Sequence, residues 1–414
     1  MRLPAIAMGS RELKKTKPLL AGTDVRNLQQ LLKGLGFFNS RIDGVFGYET
    51  ELAVRMFQEA FGMKASGIVD KKLFDILQII EKGGGLHWLT FQKDYCHTGY
   101  SPVPVPFSLK AAGKKRLSGI MDFCTYGGIL IAVTRDGVCA MDIKSLETRW
   151  YSRGFSPIAG ASLSVAGIVV PAGSLVILDM YTGKILATVN DDIFMTPAAI
   201  VKGMILASAK GSVHALDEKG DKLWRYKTEG ALCSPPSVAY DLIYFASSDK
   251  NVYCLDKNGD LYWKTRVDDF ISDPLPVWAG KVFALSRSSW FYALNPLSGD
   301  IIWKKKFSDE EFLAPAFNQD FLLAVDVKGG IFALSPQRGE IMWLKRLEAE
   351  PATLPIICSD TVFLGTEKGI AAINAKTGQI RILLEGKKIK ALIQARSGIV
   401  AASENELVAL SPAL

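Results

Sequence analysis

The spacing of apolar positions changes once along this chain. From Thr23 to Ile80 they recur at three and four residues, the pattern of one helix face. In "VRNLQQLLKGLG" they are Val25, Leu28, Leu31, Leu32 and Leu35, with Asp24 as N-cap and Gly34 and Gly36 ending the run. A second helix, "ETELAVRMFQEAFG", turns Leu52, Val54, Met56, Phe57 and Ala60 toward a core and stops at Gly62. A third is predicted from about Asp70 through Leu73, Ile76, Leu77 and Ile80. Between the first two lies "FFNSRIDGVFGYET", in which Ile42, Val45 and Phe46 fold inward, Gly44 and Gly47 supply positive-φ turns and Asp43 braces the loop.

After "EKGGGLH", a flexible tether at 81–87, the period becomes that of short strands. An apolar strand ending in Asp, Asn or Ser recurs at Asp142, Asp179, Asp217, Asp256, Asn295, Ser335, Asn374 and Ser411, at intervals of 37 to 40 residues. A Trp follows seven or eight positions later in five copies, Trp150, Trp224, Trp263, Trp303 and Trp343, and Ala187 and Ile382 replace it in two others. Hydrophobic strands such as "GILIAVT" and "DLIYFAS" precede each anchor, and a further strand precedes those, often after Pro. Four short strands with their turns fill such a unit, which is the size of a propeller blade.

The predicted fold class is therefore multidomain: a small all-α three-helix domain followed by an all-β eight-bladed β-propeller, with seven blades as the alternative. The boundaries fall at 1–22 for an N-terminal extension, 23–80 for the helical domain, 81–87 for the linker and 88–414 for the propeller. The eighth unit reaches Leu414 before its outer strand. "VPFSLKAAG", from Val105 to Gly113, is placed to supply it and so remove two exposed sheet edges.

Two resemblances follow. The run DVRNLQQLLKGLGFF, IDGVFGYETELAVRMFQEAFGM and SGIVDKKLFDIL resembles the three-helix peptidoglycan-binding domain that accompanies many bacterial cell-wall enzymes. It implies a shallow groove beside the "IDGVFGYET" loop that holds glycan or stem peptide, formed by Asp43, Gly44, Phe46, Gly47, Tyr48 and Thr50, with Asp43, Gly47, Tyr48 and Thr50 as the direct contacts. The unit "GDLYWKTRV" through "FYALNPLSGDIIWKKKF", with the lead-in "HWLTFQKDYCHTGYSP", resembles the pyrroloquinoline-quinone-type propeller repeat. That family holds quinoprotein dehydrogenases and non-enzymatic relatives such as the outer-membrane assembly lipoprotein propeller, so it implies the fold far more than the activity.

Composition narrows the function. With 49% hydrophobic and 22% charged residues the chain is that of a folded globular protein, and no apolar run reaches the roughly 18 residues of a membrane helix. The 49 basic and 42 acidic side chains nearly cancel, which argues against nucleic acid as a partner. "MRLPAIAMGSRELKK" has a six-residue apolar stretch, shorter than the roughly 7 to 15 residues of a secretory signal, so no signal peptide is recognisable.

Candidate chemistry is sparse. Cys96, Cys124, Cys139, Cys233, Cys254 and Cys358 form no CxxC or vicinal pair and read as free core thiols. Alcohol-oxidising quinoproteins place an adjacent cysteine pair against the quinone, which this chain lacks. His87, His97 and His214 are too scattered for a catalytic zinc. The anchor aspartates brace turns, the Trp residues pack between blades, and carboxylate pairs such as Asp191 with Asp192 and Asp268 with Asp269 read as solvated loop charge. Phe155, Phe194, Phe270 and Phe312 form either an aromatic rim at one end of the ring or a buried seam between blades. No catalytic residue, metal or cofactor is predicted. The reading is a non-enzymatic cell-envelope protein, periplasmic or wall-associated. Its N-terminal domain binds peptidoglycan and its propeller face presents a scaffold to a protein partner. The alternatives are a quinone-dependent oxidoreductase, or a propeller scaffold whose helical module binds protein rather than cell wall.

Overall fold

The computed structural model describes residues 4, 6, 10–34, 38, 40–60, 65–70, 73, 74, 77, 94, 96–101, 105–126, 128–164, 167–201, 203–232, 234–318, 320–395 and 398–412. The tether at 81–87 lies outside them, as do His87, Cys233 and most of the third predicted helix, of which Leu73, Phe74 and Leu77 are described, helical and buried.

Two helices are described in full, α1 (Thr23–Gly34) and α2 (Tyr48–Ala60). They close over one core of Val25, Leu28, Leu32, Phe46, Val54 and Phe57. Residues before Thr23 contribute as well: Leu13 is buried in that core and bridges Val69, while Ala21 bridges Val45. Asp24 is not the cap itself. The helix starts one residue earlier, and the Asp24 carboxylate sits in the first turn, held by the fork of Arg11 at 2.7 and 3.1 Å.

The rest is β-structure. A representative sheet is the antiparallel meander Ser237–Ala239, Leu242–Ser247, Asn251–Leu255 and Leu261–Arg266. Similar four-stranded sheets begin at Ile120–Tyr126, Val277–Trp278 and Phe312–Phe317. A fourth, beginning at Ile356–Cys358, gains a fifth, parallel strand from Tyr100–Ser101. One seven-stranded sheet spans Ser162–Ser164 to Lys222–Lys227 and joins two meanders through the single pairing of Phe194 with Ala209. In the last sheet, Leu109–Arg116 pairs with Glu406–Pro412 and supplies the outer strand, shifted a few residues from its predicted place. Innermost strands approach one another in chain order, and Ala391–Ala395 returns to Ile120–Tyr126, so the sheets close into a ring.

Burial follows position in the sheet. The second strands, Ile129–Thr134, Leu242–Ser247 and Thr361–Thr366, are buried along their whole length because neighbouring sheets cover both faces, which explains their unbroken apolar sequence. Outer strands alternate and expose Leu261, Tyr262, Ile301, Ile302, Ile341 and Met342.

The recurring Trp residues join one unit to the next. Nε1 donates to a carbonyl in the next unit's anchor turn: Trp224 to Lys257 at 3.0 Å, Trp263 to Pro296 at 2.9 Å, Trp303 to Pro336 at 3.1 Å and Trp343 to Ala375 at 3.0 Å. Trp150 shares the docking without that bond, its buried Nε1 having no partner among the described residues. The ring lies against the turn's glycine; at Gly299, with φ of +74°, an added Cβ would stand 2.6 Å from Trp263, so the position needs glycine twice over. The turns are braced by their anchors, as when Asp256 Oδ1 accepts from the amides of Asn258 at 2.8 Å and Asp260 at 2.9 Å. Trp303→Ala is expected to lower stability by about 3–5 kcal/mol, as large core truncations do; a thermal midpoint unchanged in calorimetry would refute this account of the joint.

Candidate functional site

The loop between α1 and α2 is tied from below by one side chain. Gln29, which is 1% exposed, donates Nε2 to Asp43 Oδ1 (2.9 Å), Thr50 Oγ1 (3.0 Å) and the Val45 carbonyl (3.1 Å), and its Oε1 accepts from Gly44 N (2.8 Å). Asp43 Oδ1 also accepts from Val45 N at 2.8 Å. Gly44 takes φ of +76°, whereas Gly47 does not enter the left-handed region, contrary to the sequence expectation. Burial pushes the Asp43 carboxyl up, but the bonds from Gln29, Val45 N and its own amide, with the charge of Arg41, hold it below its ordinary value. It is therefore an anion at neutral pH.

This arrangement separates the predicted contacts into two layers. Asp43, Gly47 and Tyr48 reach the surface, while Gly44, Phe46 and Thr50 lie beneath it. Tyr48 is 63% exposed at the start of α2, with the Lys15 ammonium 5.3 Å from its ring centroid. Nothing lies within 4 Å of where a Gly47 Cβ would stand, so the backbone there is open to a ligand. The sequence reading did not single out Gln29 as the organiser. The signal was present as a repetition: Gln58 clamps Ser66-Gly67-Ile68 in the same way, accepting from Gly67 N at 2.9 Å and donating to the Ile68 carbonyl at 2.9 Å.

In the ring, the residues of chemically versatile type are largely absorbed by structure. Cys124, Cys139 and Cys254 are buried free thiols, Cys358 is buried as well, and burial pushes the Cys124 thiol up. His97 is buried with Nε2 at 3.2 Å from the Pro236 carbonyl. His214 is the centre of a network the sequence did not reveal: its Nε2 meets both Asp192 Oδ2 and Ser212 Oγ at 3.0 Å, and Arg225 reaches Asp192 at 2.7 Å and Ser212 at 3.0 Å. Asp192 is thus a network residue inside a strand and not solvated loop charge. A catalytic triad needs serine and acid hydrogen-bonded to opposite ring nitrogens; here Ser212 and Asp192 share one, and Asp191 stands 3.8 Å from the other, beyond hydrogen-bond reach, so the group reads as a strut. Phe194 and Phe312 are buried and Phe155 and Phe270 half-buried, which makes these aromatics a seam between units. A cavity of about 460 Å³ remains at one end of the ring, with Asp122 and Asp273 in its wall.

Fold and loop together define a β-propeller protein with an N-terminal peptidoglycan-binding-type module. The family model described as outer membrane protein assembly factor BamB matches residues 172–381, more than half of the chain, and the chain belongs to that family. The model described as "Putative peptidoglycan binding domain" matches residues 21–77. Among curated proteins, the spore cortex-lytic enzyme of Halalkalibacterium halodurans is 48% identical over 52 residues, 13% of this chain and 16% of that protein. The spore cortex-lytic enzyme of Bacillus subtilis is 48% identical over 91 residues, 22% of this chain and 30% of that protein. The chain thus spans less than a third of the length of these relatives. Among solved structures, BamB from Moraxella catarrhalis superposes with a TM-score of 0.62 at 18% identity, covering 73% of this chain and 100% of that one. Quinohemoprotein alcohol dehydrogenase from Comamonas testosteroni gives 0.69 at 13% identity, covering 81% and 83%. At these identities the likeness is one of fold. No helix among the described residues is long and apolar enough to cross a membrane.

Proposed function

We propose that this is a non-enzymatic cell-envelope protein whose helical module, residues 23–80, holds peptidoglycan while an eight-bladed ring presents its loops to another protein. The observation that carries the first half is the Gln29 knot, which fixes an ionised Asp43 beside an exposed Tyr48 and an open backbone at Gly47. An aromatic ring and a carboxylate held at fixed spacing suit a sugar face and an adjoining peptide amide. In this reading Asp43, Gly47 and Tyr48 touch the wall polymer, and Gly44, Phe46 and Thr50 hold them in place. The matches to cortex-lytic enzymes support it, since they fall on the peptidoglycan-binding portion of this chain. Eight blades follow from treating the seven-stranded sheet as two units: eight innermost segments then surround the cavity.

Co-sedimentation of the full chain with purified insoluble peptidoglycan over a salt series tests this. The chain is expected to pellet at moderate salt, and Tyr48→Ala to weaken binding about tenfold, the loss of one good stacking contact, without a change in thermal midpoint. Failure of the chain to pellet, or equal pelleting of the variant, would remove the wall contact from this surface.

A further inference from the structure

We propose that the channel of the ring is a blind cup that receives a cationic side chain, the ammonium or guanidinium of a lysine or arginine on a partner peptide, with Asp122 and Asp273 as its counter-charges. The proposal goes beyond the wall-binding reading, which makes no use of the channel.

The cup has a floor. Residues 96–101 run across the innermost strands of four successive sheets: Cys96 Sγ donates to the Val238 carbonyl at 3.3 Å, and the amides of Val277, Phe317 and Ile357 donate to the carbonyls of Cys96, Thr98 and Gly99 at 2.8 to 2.9 Å. The cavity wall meets that floor at Ile356, next to Ile357, and reaches Pro274 and Leu313, three and four residues before Val277 and Phe317, a span of about 10–13 Å at about 3.3 Å per residue. Along these four sheets a ligand enters from the opposite end of the ring.

The charge and texture of the wall select the ligand. Asp122 accepts from Phe123 N at 2.8 Å through Oδ1, but its Oδ2 is fully enclosed against Gly160 with no hydrogen-bond partner among the described residues. Asp273 stands in the same wall. Lys390, also in the wall, has its ammonium paired with Glu404 and does not neutralise them. A carboxylate oxygen enclosed without a donor is costly, and a turn of the Asp122 side chain toward an incoming N–H donor of positive charge relieves that cost. Met121, Met195, Leu313 and Leu354 supply apolar wall for the methylene stem of a long basic side chain. A metal ion fits less well: among the described residues no three His, Cys, Asp or Glu side chains are placed to hold one.

Met121 and Met195 provide the readout, as 13C-methyl methionine resonances of the full chain. The probes are the blocked tripeptide Leu-Lys-Leu, its arginine counterpart, and a version with norleucine in place of lysine. The basic peptides are expected to shift both resonances saturably, the norleucine peptide to bind at least tenfold more weakly, and Asp122→Asn with Asp273→Asn to abolish the difference. Equal binding of the norleucine peptide to the unaltered chain would overturn the proposal without recourse to any variant, as would no shift with either basic peptide. Calcium alone displacing the same two resonances and competing with the lysine peptide would also overturn it, in favour of a metal site. None of these outcomes depends on whether the chain pellets with peptidoglycan.

Discussion

Replacing Gln29 by Leu is expected to loosen the α1–α2 loop while leaving the ring intact. The substitution keeps the size of a side chain that is 1% exposed but removes the four bonds that Gln29 itself makes to Asp43, Gly44, Val45 and Thr50. The enclosed Gly44 amide loses its partner, at roughly 1–3 kcal/mol for a buried group left unsatisfied, while the Val45 carbonyl keeps the amide of Gly47 at 2.9 Å. A loss of about 1–3 kcal/mol corresponds to a fall in hydrogen-exchange protection of about fivefold or more at Gly44. Asp43 would also lose the principal bond that holds its carboxyl low, so its ionisation should move up. Unchanged protection in the variant would show that the loop is held by the core alone, through Phe46 and Val45.

The second large effect is on stability against pH. Burial pushes the Asp122 carboxyl up to about 7, against a smaller opposing effect of the Phe123 amide, and burial likewise raises Asp273 to about 6 despite Arg287. Between about pH 4 and pH 7 the folded chain keeps a proton on Asp122 that the unfolded chain gives up, so stability falls as pH rises through that window and levels off above it. Asparagine carries no such cost. Asp122→Asn should therefore gain on the unaltered chain by about 2–3 kcal/mol between pH 4 and pH 8, below the ceiling of about 4 kcal/mol set by three decades of proton concentration, because water in the cup screens the charge. Thermal midpoints of both proteins across that range measure the difference directly. A difference that stays flat with pH would mean that Asp122 is charged throughout and finds a donor in solution.

The reach of the sequence can be judged from the same residues. Leu28, Leu32, Val54 and Phe57 were legible as core because helix geometry acts over three and four residues, and all four are buried. The anchors and the Trp residues were legible because repetition exposes what a single copy would hide. The strand before Gly113 was legible from a deficit: the eighth unit lacked an outer strand, and Leu109–Arg116 supplies it. What escaped depends on separation along the chain. Asp122 in "GIMDFCTY" looks like any strand carboxylate until Gly160 closes over it and Asp273 joins the same wall. His214 and Asp192 are 22 residues apart, and only the pairing of both their strands with Met204–Ala209 between them brings them to 3.0 Å. Gln29 escaped for a different reason: glutamine on a helix reads as polar surface, and its inward turn is dictated by amides that lie 15 residues further on.

The union of Leu109–Arg116 with Glu406–Pro412 bears on how the protein is made. A ribosome delivers Leu109 early and Pro412 near the end of the 414 residues, so the outer strand waits for its partner through the synthesis of every intervening sheet. Until then both ends of the growing arc present unpaired strand edges, the surfaces from which misassembly starts. Contacts so distant in sequence form slowly, because loop closure must be met before the pairing returns any stability. The nascent protein is therefore most vulnerable as a nearly complete arc, in the interval between the synthesis of Pro412 and the closing of the circle.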